Sequence, residues 1–218
     1  MYDLVIRNGT IYDGKGGKPY LADLAISGKK IAKIGDIEES GSKEIDAQGK
    51  IITPGFVDIH THYDGQVTWD PYLRPSTYHG VTTVVMGNCG VGFSPCKPEK
   101  RDWLIGLMEG VEDIPGTALH EGINWEWETF PEYLDTLEKK PLAIDVGTQI
   151  PHGAVRAFVM GERGITQAKA SEDEIDEMGK IVKEAIAAGA FGFSTSRTEK
   201  HRDSSGSLTP SITAHKDE

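Results

Sequence analysis

One stretch decides most of what this chain can become. The β-forming residues Ile51-Ile52 and Phe56-Val57-Asp58-Ile59, interrupted by Pro54-Gly55, run directly into His60-Thr61-His62. The run reads as a buried strand with a break at the Pro-Gly pair. Alternate side chains on a strand share one face, so His60 and His62 are expected to project the same way. Two imidazoles so placed can grip one metal ion. Alone, His-x-His more often marks two unrelated polar residues at a strand end, so its meaning depends on what accompanies it.

A second β-forming run, Val81-Thr82-Thr83-Val84-Val85-Met86, ends in Gly87-Asn88-Cys89-Gly90-Val91-Gly92. A free cysteine is usually an inert buried thiol. Cys89, however, is expected at the C-terminal end of its strand, as His62 is, where parallel α/β folds gather ligands and catalytic groups. The glycines around it let the backbone turn sharply and approach a ligand closely.

These motifs resemble the D-aminoacylase (N-acyl-D-amino-acid deacylase) branch of the amidohydrolase superfamily. The resemblance runs from Asp3-Leu4-Val5-Ile6-Arg7-Asn8-Gly9 through Pro54–His62 and His79–Pro95. It continues in Met108-Glu109-Gly110-Val111-Glu112-Asp113-Ile114-Pro115-Gly116 and Gly192-Phe193-Ser194-Thr195-Ser196-Arg197-Thr198, and so covers nearly the whole chain. His-x-His would identify only the superfamily; the cysteine of Gly-Asn-Cys-Gly points to this branch. Dihydroorotases and hydantoinases are similar in their His-x-His but bridge their metals with a carboxylated lysine on a later strand. The expected fourth strand here, around Ala190 to Thr195, contains no lysine. The resemblance implies that Cys89 takes that place, with His60 and His62, as a ligand to one or two zinc ions. It also implies two further histidines and a general-base aspartate on later strands, beyond Glu218.

The expected fold is α/β: the N-terminal portion of a metal-dependent (β/α)₈ barrel, preceded by a small β module. A closed barrel takes about 250 residues, with about 200 as a lower limit. A barrel beginning at Gly55 has 164 residues available here, enough for about four strands. These are expected to end at His62 and Cys89, and to lie near Val146–Gln149 and Phe193–Thr195. Residues 1–54 carry short alternating runs separated by glycine turns, Asn8-Gly9 and Ser27-Gly28 among them. Such a module buries little apolar surface by itself; by resemblance it is part of a composite β-sandwich. Residues 93–141 read as a long insertion with helices near Arg101–Val111 and Pro131–Leu137. Trp103, Trp125 and Trp127 are read there as cover for apolar surface. The clearest element is a helix over Glu172–Ala188, opened by the capping box Ser171/Glu174 and stopped by Gly189.

Polar groups expected at the barrel mouth are candidates for contacting substrate: Arg197, which could meet a carboxylate bidentately or serve in a structural ion pair, together with His152, Ser194 and His201. His79 is expected near the start of the second strand, away from the metal, and His120 and His215 at the surface.

Lys and Arg number 23 against 34 Asp and Glu, a net charge of −11, and no basic stripe offsets it. Nucleic acid is therefore an unexpected partner. No apolar run approaches the roughly 18 residues of a membrane span, and the first residues lack a signal-peptide pattern. Cys89 and Cys96 make no disulfide framework, and a thiolate ligand needs a reducing compartment, so the cytoplasm is the expected location. The expected partners are a small N-acyl amino acid substrate and, as a homo-oligomer, further copies of the chain.

The resemblance implies a zinc-dependent hydrolase acting on the amide bond of N-acyl-D-amino acids. A chain of this length is expected to be an incomplete and inactive piece of it, poorly soluble by itself. Two alternatives stand beside this reading: a cyclic-amide hydrolase of the dihydroorotase or hydantoinase kind, and a non-catalytic amidohydrolase-like scaffold.

Overall fold

The computed structural model describes all residues of the chain except Gln167, Thr213 and Asp217. It divides into two compact units, Met1–Gly55 and Phe56–Glu218.

The first unit is a sheet of β1 (Tyr2–Ile11), β2 (Tyr20–Ser27), β3 (Lys30–Gly35), β4 (Gly41–Asp46) and β5 (Ile51–Ile52). Its order is β3-β2-β1-β4, with β5 also beside β1; β2 runs antiparallel to both β1 and β3, whereas β4 and β5 run parallel to β1. Ser27-Gly28 forms the tight turn that its glycine suggests. Asn8-Gly9 does not: it sits inside β1 at a break of register between Ile6 and Gly9. Asn8 takes φ 60 there, so the positive φ that reads as a hairpin turn is used for a bulge. Val5, Ala25 and Ile37 make one small core cluster and Ile11, Ala22 and Leu24 another. Leu21, Ile31 and Ile51 stay exposed, the shortage of burial expected of so small a module. Arg7 ties the central strands together through Asp23 at 3.0 Å and Glu44 at 2.9 Å.

The second unit is built on parallel strands: β6 (Phe56–Asp58), β7 (Val81–Met86) and β8 (Asp145–Thr148) in the order β6-β7-β8. After a break at Gln149, β9 (Ile150–Pro151) pairs in parallel with β10 (Phe193–Ser194). Four strand positions thus follow one another in chain order, all parallel. No barrel closes among the described residues, and there β6 and β10 each have a strand partner on one side only.

Around the strands lie α1 (Arg101–Glu112), α2 (Gly116–Gly122), α3 (Phe130–Glu138), α4 (His152–Met160), α5 (Glu162–Ile165) and α6 (Glu172–Ala188). The core joins Val84 and Met86 of β7 to Phe93, Leu104, Leu107, Met108, Trp127, Phe130 and Tyr133 from the 93–141 segment. Trp127 is buried and its indole N–H donates to the Phe93 carbonyl at 2.8 Å. The 93–141 segment is therefore built into the core rather than hung outside it. No helix among the described residues is long and apolar enough to cross a membrane.

Two capping boxes open the helices best marked in the sequence: Thr129 with Glu132 for α3, and Ser171 with Glu174 for α6. In each, a side-chain oxygen and a carboxylate satisfy backbone N–H groups the helix itself cannot. We expect Ser171→Ala and Thr129→Ala each to lower unfolding free energy by about 1 kcal/mol, read as a shifted urea midpoint at unchanged slope; no shift in either would mean those ends are held by packing alone.

Candidate metal centre

The geometry of the site starts with the turn after β7. Its closing bond runs from the Val91 N–H to the Asn88 carbonyl, 3.0 Å. Its two central residues, Cys89 and Gly90, have φ 56 and 72, the two positive values of a type I′ turn. Gly90 adopts this region freely, but a cysteine there is strained unless its surroundings impose it. They do. Ser194 of β10 accepts a hydrogen bond from Gly90 N–H at 3.0 Å and donates to the Gly87 carbonyl. Gly153 N–H, at the start of α4, donates to the Gly90 carbonyl at 2.9 Å. At Gly87, φ is 73 and a Cβ would overlap the Gln149 carbonyl oxygen, so only glycine fits.

The histidines reach the same place by a route other than the expected one. β6 ends at Asp58, and the chain bends at Ile59 and His60, so the two rings are not neighbours on a pleat. Thr61 sets their direction instead: its N–H and hydroxyl both donate to the Val85 carbonyl, each at 2.9 Å. Asn88 then locks this segment to the cysteine turn, its amide donating to the carbonyls of Thr61 (3.2 Å) and Val85 (2.9 Å) and accepting from Gln149 (2.8 Å).

The result is a cluster. One ligand atom each from His60, His62 and Cys89 lie within 4.8 Å of one another. His60 Nε2 is 3.2 Å from Cys89 Sγ, and the two imidazole rings are 5.4 Å apart. Burial, with the nearby His60 and His201 charges, pushes His62 down to about 4, so the ring is neutral near pH 7 and keeps a lone pair. Its Nδ1 is buried without a hydrogen-bond partner. Its Nε2 is 3.1 Å from Glu112 Oε1, a contact between a neutral ring and a carboxylate rather than an ion pair. Burial raises the Cys89 thiol, helped by Glu112 and Asp64; a cation must therefore displace its proton. A thiol and two imidazoles, converging with an orphaned ring nitrogen on His62, fit a zinc-type ion.

The other sequence candidates have different surroundings. Ser194 is buried, and both the hydrogen bonds of its hydroxyl go to the cysteine turn. His152 is buried between Thr195 Oγ1 at 3.0 Å and Glu218 Oε1 at 3.1 Å; desolvation lowers its pKa against the pull of Glu218. Arg197 is exposed and donates to the Ala214 carbonyl at 2.9 Å. His201 stands with the cluster rather than apart from it, sharing a second group of convergent donors with Cys89 and Glu112. Cys96 is buried in the core, its thiol pushed up to about 12 by desolvation.

Three residues at the site were not singled out by sequence reasoning: Asn88, Glu112 and Asp64. Asp64 is buried, with Oδ2 unpartnered and its pKa raised to about 7 by desolvation. It continues the alternation His60-x-His62-x-Asp64, the one local signal that could have found it. Glu112 is at the end of α1, distant in sequence from the strands, and no local pattern marks it.

The family model described as "Amidohydrolase family" matches residues 43–216. The chain belongs to this family. Among curated proteins it is similar to the D-aminoacylase of Alcaligenes xylosoxydans xylosoxydans, 35% identical over 89% of this chain and 37% of the relative. An uncharacterized protein of Mycobacterium tuberculosis is 38% identical over 88% of this chain and 32% of its own length. Among solved structures, a D-aminoacylase superposes with a TM-score of 0.78 at 31% identity, covering 99% of this chain and 41% of that one. An N-acyl-D-glutamate deacylase from Bordetella bronchiseptica, complexed with zinc and a phosphonate inhibitor, gives 0.75 at 33% identity over 89% and 38%. The D-aminoacylase branch of the amidohydrolases is thus where the chain falls, and its α/β fold is theirs. The chain spans about a third of the length of these curated relatives.

The arrangement makes Ser194 a clamp, and its replacement a test. Ser194→Ala leaves the buried Gly90 N–H without its partner, which costs about 1–3 kcal/mol. We expect a lowered urea midpoint of that size with secondary structure unchanged by circular dichroism. An unshifted midpoint would show that the cysteine turn holds without the clamp.

Proposed function

We propose that this protein is a zinc-dependent hydrolase of the amide bond in N-acyl-D-amino acids, and that His60, His62 and Cys89 hold the metal. The observation that carries this reading is the convergence of two imidazoles and a thiol at the C-terminal ends of adjacent parallel strands, in a chain of the D-aminoacylase branch. The similarity to a D-aminoacylase and to an N-acyl-D-glutamate deacylase supports the substrate class. On this reading the Phe56–Glu218 unit is the first half of a barrel with its insertion at 93–141. The Met1–Gly55 unit is one part of a composite β-sandwich.

In the overall reaction water adds across the amide: the acyl carbon gains a C–O bond, the C–N bond breaks, and a carboxylic acid and a D-amino acid leave. Bound zinc supplies Lewis-acid polarisation of a carbonyl and acidification of water near neutral pH. The chain's own residues prepare for it. Desolvation keeps His62 neutral and ready to donate its lone pair. Asn88 and Ser194 fix the histidine segment and the cysteine turn relative to each other, so that little ordering is left for the moment of binding. A cavity of about 300 Å³ lined by His60, His62, Gln66, Ser76 and Glu112 lies directly against the donors, room for a small acyl amide. Arg197, exposed on the segment after β10, is the candidate contact for the substrate carboxylate.

The cysteines separate this reading from simple packing. In the intact protein we expect Cys89→Ala to lose bound zinc and nearly all release of acetate from N-acetyl-D-amino acids. Cys96→Ala, in the core and away from the donors, should keep zinc content and rate. Normal zinc and normal rate in Cys89→Ala would sink the assignment.

A further inference from the structure

The cavity beside the histidines has a wall whose hydrogen-bonding character is set by the fold. Tyr63, Gln66 and Ser76 come to it from the turns between β6 and β7, and Glu112 and Ile114 from the end of α1. Gln66 opens a short 3₁₀ turn, Gln66–Thr68. Its amide nitrogen donates to Asp70 Oδ2 at 3.0 Å and to the Arg74 carbonyl at 2.8 Å. Asp70 is itself immobilised: it is buried and accepts from the backbone N–H groups of Tyr72 and Arg74, each at 3.1 Å. A side-chain amide has two N–H donors and one acceptor oxygen. With both donors engaged, turning the Gln66 amide over would break both bonds and set its oxygen against a carboxylate. Its orientation is therefore determined, and Oε1, without a partner among the described residues, is the atom left for a ligand. Tyr63 and Ser76 answer one another, their hydroxyl oxygens 2.7 Å apart. Glu112 adds a second acceptor, and Ile114 an apolar side.

The order of the strands gives a bound substrate its direction. His60 and His62 follow β6, Cys89 follows β7, and Arg197 follows β10, the last of the four strand positions. The cysteine turn stands between the two ends. On one side His60 Nε2 is 3.2 Å from Cys89 Sγ; on the other, a Cβ at Gly90 would be 3.1 Å from Thr195 Cα. The segment after β10 is held in place on α1. Ser204 N–H donates to the Gly106 carbonyl at 2.9 Å, and a Cβ on Gly110 would overlap the backbone of Arg202, Asp203 and Ser204. Two glycines one helical turn apart thus admit that segment to the helix. A substrate with its carboxylate at Arg197 and its carbonyl over the donors would send its acyl group into the cavity of Gln66.

We propose that this cavity takes the acyl group and that Gln66 selects its chemistry, favouring an acyl group with an N–H beside the carbonyl, as in an N-carbamoyl amino acid, over acetyl. Carbamoyl and acetyl differ only by an NH₂ in place of a CH₃, so their nearly equal size gives the cavity no steric choice. The NH₂ can donate to Gln66 Oε1, whereas a methyl covers that oxygen and leaves it unpaired. The proposal rests on the reading of the site as one for N-acyl-D-amino acids, and names the acyl group within it.

The test is calorimetric titration of the intact, metal-stripped protein, which binds without turnover, with N-carbamoyl-D-leucine and N-acetyl-D-leucine. The carbamoyl compound should bind about three- to tenfold more tightly, the worth of one neutral hydrogen bond. The same ratio should appear in KM for the zinc-loaded protein. Gln66→Met, close in size but lacking the amide oxygen, should erase the preference and leave acetyl binding within about twofold, with circular dichroism confirming the fold. Equal affinity of the two compounds for the wild type, or a preference that survives in folded Gln66→Met, would overturn the role of Gln66 and leave the N-acyl reading standing. If neither compound binds and the zinc-loaded protein hydrolyses neither, the reading beneath it falls as well.

Discussion

The structure depends on a cysteine held in a left-handed conformation. Cys89 has φ 56, which most residues with a Cβ avoid. It persists because Ser194, Gly153 and Asn88 satisfy the backbone on both sides of it. Two of these come from other elements, β10 and the start of α4. The turn is therefore held by tertiary contacts rather than by its own sequence, and the direction of the thiol depends in part on a strand more than a hundred residues away. Strain of this kind is expected where a side chain must be presented to a ligand.

Around that turn, the site is a small region of low dielectric in which charge is unwelcome. His62 is driven neutral, the Cys89 thiol is raised, and Asp64 and Glu112 are both raised mainly by loss of water. Among the described residues no lysine or arginine pairs with Asp64 or Glu112, so the electrostatics favour a cation there. Of the convergent donors, His62 Nδ1 is buried with no hydrogen-bond partner, a lone pair that a cation would satisfy.

The 93–141 segment has two roles that cannot be separated. Its aromatic residues complete the core beneath β7, and the end of its first helix brings Glu112 against His62 and Cys89. Gly106 and Gly110 let the segment after β10 dock on that helix. Packing, loop placement and ligand position are therefore one problem with one solution, and an alteration on the α1 face should be felt at Cys89.

Much of this was legible in the sequence. The β-forming runs marked the strands after residues 56 and 81, the capping boxes and glycines marked α6, and His60, His62 and Cys89 were marked by residue type and by their positions after strands. These signals are local: periodicity, caps and turns act within a few residues, and the sequence states them directly. The remainder depends on contacts distant along the chain. The histidines converge because Thr61 and Asn88 bond across β7, not because of a pleat; Asn8-Gly9 became a bulge because β1 continues between β2 and β4. Ser194, which reads as a candidate to touch substrate, is occupied by the cysteine turn. Glu112 acquires meaning only once α1 and the loop after β10 are packed together. Sequence by itself determined which side chains could bind a metal; the tertiary structure decided which of them meet, because only folding sets the distance between donors on separate strands and helices.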